Sequence, residues 1–103
     1  MADTTFTPGP WLIRQGFIED EIEVYPSAKA PHGLQKAEIA TVKDYHDDYE
    51  ANAHLIAAAP ELYEALCRLV RDCEIAGLQE QAGFDCWINM ANKALAKARG
   101  EAV

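Results

Sequence analysis

The pattern of apolar and polar positions divides the chain into a β half and an α half. Within Trp11–Gln15 the apolar residues Trp11 and Ile13 share one parity, which predicts a short strand, and Gly16 then allows a turn. From Phe17 to Tyr25 the even positions Ile18, Ile22 and Val24 are apolar while Glu19, Glu21 and Glu23 hold the odd ones. That period of two describes a half-buried strand with an acidic outer face. Asp20 interrupts the even series and marks a bulge or the tip of a hairpin. Pro26 to Gly33 reads as a loop, and β-branched Ile39, Thr41 and Val42 predict a third strand over Ala37 to Lys43.

After residue 46 the period changes to that of helices. Asp47 precedes Glu50 by three residues, a spacing suited to capping the free N–H groups of a helix running from Asp48 to about Ala58. Pro60 disfavours helical geometry at Ala59 but suits the first turn of a second helix. Leu62, Leu66, Leu69, Val70 and Cys73 then share one face, with Glu61, Glu64, Arg68, Arg71 and Asp72 on the other, until Gly77 stops the run. A third helix, about Phe84 to Arg99, places Phe84, Trp87, Ile88, Ala91, Leu95 and Ala98 on one stripe, and Gly100 closes it. Trp11, Phe84, Trp87 and the leucines of the second helix are the expected core.

Three strands followed by three helices give an α+β fold, a small antiparallel three-stranded sheet at the N-terminal side packed against three C-terminal helices. Thr7-Pro8-Gly9-Pro10 is a stop-and-turn signal, so order is expected from Trp11. Residues 1–10 then form a flexible segment and residues 11–100 a single domain.

Charge narrows the partners. Nine basic and 17 acidic residues among 103 leave a formal charge of -8. Residues 1–50 hold ten acids and four bases, net -6, and the rest seven and five, net -2. Such a surface is repelled by nucleic-acid phosphates and anionic membranes, so neither is an expected partner; a basic protein is. The longest apolar run, Leu55 to Pro60, is six residues, and Met1 to Pro8 carries an acid and no basic or apolar leader. A cytoplasmic protein is therefore expected. Three cysteines, Cys67, Cys73 and Cys86, without a C-x-x-C pair indicate reduced thiols packed as small apolar side chains, with a Cys73–Cys86 bridge as the alternative.

Catalytic chemistry finds little purchase, and no cofactor or enzymatic activity is expected. His46, Glu50 and His54 are spaced by four and would line one helical face able to hold zinc, if the helix began early enough; the capping pattern instead leaves His46 outside it. Glycines are scattered as punctuation rather than gathered in a phosphate loop, and no Gly-x-Ser-x-Gly element presents a serine. The group with most to offer a partner is Glu19, Asp20, Glu21 and Glu23. As an exposed strand face it discourages edge-to-edge aggregation, and it also suits contact with lysine- or arginine-rich protein.

Thr7-Pro8-Gly9-Pro10-Trp11, the run from Glu50 through Ala57-Ala58-Ala59-Pro60-Glu61-Leu62 to Leu66, and the closing Ala94 to Gly100 resemble a family of small proteins encoded by tailed bacteriophages and prophages. The resemblance implies a phage accessory protein in the bacterial cytoplasm. It further implies a non-enzymatic inhibitor, similar to anti-CRISPR and anti-restriction proteins, that binds a basic host protein or nucleoprotein effector complex. Glu19, Asp20, Glu21 and Glu23 are the expected contacts. The alternative is a structural, assembly or self-associating protein, a homodimer through its alanine-rich helix.

Overall fold

A computed structural model describes residues 6–16, 18–27, 38–43 and 48–101. The predicted α+β order is present: β1 (Trp11–Gln15), β2 (Glu21–Pro26) and β3 (Ala40–Lys43), then α1 (Tyr49–Ala57), α2 (Ala59–Ile75) and α3 (Phe84–Ala98). A short 3₁₀ turn, Leu78–Glu80, precedes α3 and has no counterpart in the sequence reading. The contacts gather into two compact units, Phe6–Glu61 and the helical part from Leu62 onward, each described in its own right.

In the first unit the strands form an antiparallel meander of order β1-β2-β3. Trp11 lies opposite Pro26 and Gln15 opposite Ile22; on the other side Glu21 lies opposite Lys43 and Val24 opposite Ala40. The second strand is shorter than its alternation predicts, because the chain turns over residues 18–20 before β2 begins at Glu21. Asp20 adopts φ 66°, in the left-handed region that short polar side chains tolerate, so it marks the hairpin tip as expected. Two donors, Gly16 N at 3.1 Å and Gln15 Nε2 at 2.9 Å, converge on the Glu21 carbonyl and tie the turn closed.

α1 packs against all three strands. The centre of this layer is tight: Val24 on β2 and Ala53 on α1 are both 0% exposed. The start of α1 has Asp48 at its N-cap position without a side-chain capping bond. Asp47, the expected cap, lies outside the described residues. Ala58 alone separates α1 from α2, and Pro60 stands second in α2, where its missing N–H leaves no helical bond unmade.

Residues 6–10 make contacts within this unit. The Trp11 indole N–H donates to the Thr7 carbonyl at 3.1 Å, and the Phe6 ring meets that of Trp11 edge-on at 6.2 Å. Ser27 N–H donates to the Pro10 carbonyl at 3.1 Å, extending the β1–β2 pairing by one rung. Gly9 lies against Pro60 so closely that an added Cβ would stand 2.7 Å from the proline Cβ.

The second unit is an antiparallel helical hairpin. The Arg99 guanidinium donates to the Tyr63 hydroxyl at 3.2 Å, and the Asn92 amide donates to a Glu74 carboxylate oxygen at 3.3 Å, fixing the direction of α3 along α2. Tyr63 and Val70 on α2 and Ile88 and Leu95 on α3 are the buried residues of these helices beyond Glu61. α3 closes as predicted at Gly100, whose φ of 79° few other residues adopt. Bonds from Gly100 N to the Lys97 carbonyl at 3.0 Å and from Glu101 N to the Ala96 carbonyl at 2.9 Å satisfy the last turn.

The expected core needs correction in this unit. Trp87, Phe84, Leu62 and Leu69 are exposed, and the residues enclosed in their place are Tyr63, Val70, Ile88 and Leu95. Each helix has an apolar arc wider than one neighbour can cover, and the hairpin encloses only one margin of each.

Candidate functional site

The four carboxylates singled out by the sequence divide into two pairs. Glu19 and Asp20 lie in the β1–β2 turn and are exposed. Glu21 and Glu23 lie on the central strand and are each only 7% exposed, so the acidic outer strand face expected from the alternation does not exist as a row of free carboxylates. The physical reason is the position of β2: flanked on both sides, its side chains are covered on either face by those of β1 and β3.

What covers them is cationic. Arg14 on β1 stands opposite Glu23 in the register and its Nε donates to Glu23 Oε1 at 2.7 Å. The same guanidinium lies 4.3 Å from the centroid of the Tyr25 ring, so one arginine neutralises a carboxylate and stacks on an aromatic face. On the other side Lys43 of β3 stands opposite Glu21 and its ammonium donates to Glu21 Oε1. Both glutamates thereby escape the cost of an unpaired buried charge. No described buried side-chain nitrogen or oxygen lacks a hydrogen-bond partner.

These cations were legible in principle. A hairpin turning over residues 16–20 sets position 14 against 23, so the arginine partner of Glu23 follows once the turn is placed. Lys43 is harder to find, because the segment before β3 has no turn signal that fixes its register.

The remaining candidates are dispersed. Glu50 and His54 are both exposed on α1, one turn apart, while His46 lies outside the described residues. Among the described residues no group of three or more His, Cys, Asp or Glu side chains is placed to hold a metal ion. Cys67, Cys73 and Cys86 are free thiols, the first two half-buried and Cys86 exposed, so Cys86 departs from the packed role expected of all three. No described helix is long and apolar enough to cross a membrane.

Exposed carboxylates stand in the β1–β2 turn and at the start of α1. The pairing of Glu21 with Lys43 brings the β1–β2 turn to the end of the sheet where β3 finishes, and α1 begins six residues later. Glu19 and Asp20 in that turn, and Asp48 and Glu50 at the start of α1, are all exposed. At the open end of the hairpin, Glu101 accepts two N–H bonds from Arg99, at 2.8 and 3.3 Å. These bonds hold the Glu101 carboxyl below the usual carboxylate range and, with the bond to Tyr63, raise the Arg99 guanidinium further.

Comparison with curated proteins and with solved structures returns no match to either. A family model described as Salmonella phage P22 protein Y8K6 matches residues 1–102, nearly the whole chain, in agreement with the resemblance carried by the Thr7–Trp11 and Glu50–Leu66 segments. The chain belongs to this family of phage proteins.

Proposed function

We propose that the chain is a non-enzymatic phage accessory protein that acts in the cytoplasm of the bacterial host by binding protein, and that it blocks a host defence complex handling nucleic acid, in the manner of anti-CRISPR proteins. The observation that supports this reading is the set of exposed carboxylates of the sheet unit, Glu19 and Asp20 in the β1–β2 turn and Asp48 and Glu50 at the start of α1. Exposed carboxylates present a basic groove with charge of the same sign as a phosphate backbone and accelerate encounter with it. Glu21 and Glu23 contribute to that surface indirectly, since their charges are matched by Lys43 and Arg14 and their backbone carries the turn.

The test is capture from host lysate by the full chain, followed by charge reversal of Glu19 and Asp20 together with Asp48 and Glu50. The expected result is recovery of a nucleoprotein complex by the native chain and its loss with the reversed variant at unchanged circular dichroism. Equal recovery by both chains sinks the reading. A second reading, a phage assembly protein, is favoured by the exposed apolar side chains of the helical hairpin. In that case the capture brings down a phage partner or the chain itself.

A further inference from the structure

The hairpin of α2 and α3 leaves a continuous apolar face uncovered. At 3.6 residues per turn, exposed Leu62 and Leu69 lie about a quarter-turn to one side of the buried Tyr63–Val70 line. Exposed Trp87 lies about a quarter-turn, in the same rotational sense, from the buried Ile88–Leu95 line, and exposed Met90 lies further round, toward the outer side of α3. Because the helices are antiparallel, equal offsets in the same sense bring both rows onto one side of the hairpin. Trp87 is 64% and Leu69 62% exposed, so these are large side chains left in water rather than grazed by it.

We propose that this face pairs with the same face of a second copy of the chain, related by a two-fold axis parallel to the helices, to form an antiparallel four-helix bundle. Three observations select a second copy. First, a hairpin that encloses only Tyr63, Val70, Ile88 and Leu95 has a small core for 17- and 15-residue helices, and doubling it gives the usual bundle solution. Second, with aromatic side chains of roughly 150–250 Å² each, Phe84, Trp87, Met90, Leu62 and Leu69 together expose on the order of 500 Å² per copy. The alanines and side-chain stems around them extend the patch toward the roughly 800 Å² per partner of a standard interface.

Third, the margins are complementary. Asp72 points outward from α2 and Lys93 outward from α3, turned to the side away from the apolar face, at about the same height along the hairpin given the pairing of Glu74 with Asn92. The two-fold axis sets α2 of one copy against α3 of the other, which puts Asp72 and Lys93 of the second copy, with its long flexible stem, on the same outer edge. The alternative axis, setting α2 on α2, would place like margins together and forgo this match. The pairing holds whether the chain inhibits a host complex or assembles a phage one.

The experiment is light scattering or sedimentation of the full chain from about 1 to about 100 µM, the range in which an interface of this size self-associates. The expected mass at the upper end is twice 11.4 kDa. Trp87→Glu and, separately, Leu69→Gln are expected to return it to 11.4 kDa with helical circular dichroism retained. Lys93→Glu weakens association several-fold, and adding Asp72→Lys to it restores the native value. Leu55→Glu, on the exposed part of α1 outside the hairpin, leaves the mass doubled. If Trp87→Glu loses its helical signal, Leu69→Gln and the charge swap decide. A native chain that stays monomeric at the upper concentration overturns the proposal, as does a dimer unmoved by Leu69→Gln and by Lys93→Glu.

Discussion

The sheet unit and the helical hairpin treat their side chains in opposite ways. Around β2 the chain encloses two charged residues, Glu21 and Glu23, and gives each a cation, while Val24 beside them is completely sealed. The hairpin encloses two apolar residues per helix and leaves Trp87, Leu69, Met90 and Leu62 in solvent. A strand flanked on both edges covers whatever it carries, polar or not; a helix with one neighbour covers only the residues on the contact line. The charge of the first 50 residues is therefore partly internal structure, and the apolar composition of the last 40 is partly external surface. Net charge and hydrophobic fraction alone would assign these roles the other way round.

The contrast is sharpest where the sheet unit has no slack. Val24→Ala empties part of a sealed site and is expected to cost about 2 kcal/mol, read from the denaturant midpoint. Gly9→Ala forces a methyl group onto Pro60, and overpacking of this kind costs about 1–3 kcal/mol. A variant as stable as the native chain would show that the N-terminal segment is not seated there. Glu23→Ala takes the carboxylate away from the Arg14 guanidinium. Since Arg14 keeps about a third of its side chain in solvent, a loss of about 1–2 kcal/mol is expected, and the double variant with Arg14→Ala should recover part of it.

On the hairpin, substitution of the large exposed residues should act on association and hardly on folding. Trp87→Glu is expected within about 0.5 kcal/mol of native stability in dilute solution. A loss several times larger would mean that Trp87 is enclosed in the monomer, and the contrast between the two units would fail. The smallest effect belongs to the hairpin terminus. The Glu101 carboxyl is lowered by its bonds from Arg99, so its support for the end of α3 is complete above the ordinary carboxylate pKa and is lost as the pH falls through the lowered folded value. Carbon-detected titration of Glu101 follows it directly, and Glu101→Gln abolishes the dependence.

Much of the architecture was legible. β1 and the starts and ends of the helices follow from parity, Pro60, Gly77 and Gly100, because each acts through local backbone chemistry that needs no partner. The α3 stripe was legible as an arc but not as an inside and an outside. Period alone gives the width of an apolar face and says nothing of how many neighbours will cover it, so Phe84 and Trp87 were placed in the core. The carboxylates failed for a related reason. Alternation separates two faces of a strand, yet it cannot tell which face meets water when both neighbours of β2 supply cations. Of the contact group, Glu19 and Asp20 are exposed because they belong to a turn, although the alternation set Glu19 on the strand; Glu21 and Glu23 are covered, because their surroundings are set by residues 14 and 43.

The seat of Gly9 against Pro60 joins the two segments by which the chain most resembles its family. In a genetic screen for loss of activity, substitutions in these segments will accumulate first, and an immunoblot will show them as missing protein rather than as a lost contact. Residues that touch a target are to be sought among the variants that keep normal abundance, which directs the search away from the most recognisable part of the sequence.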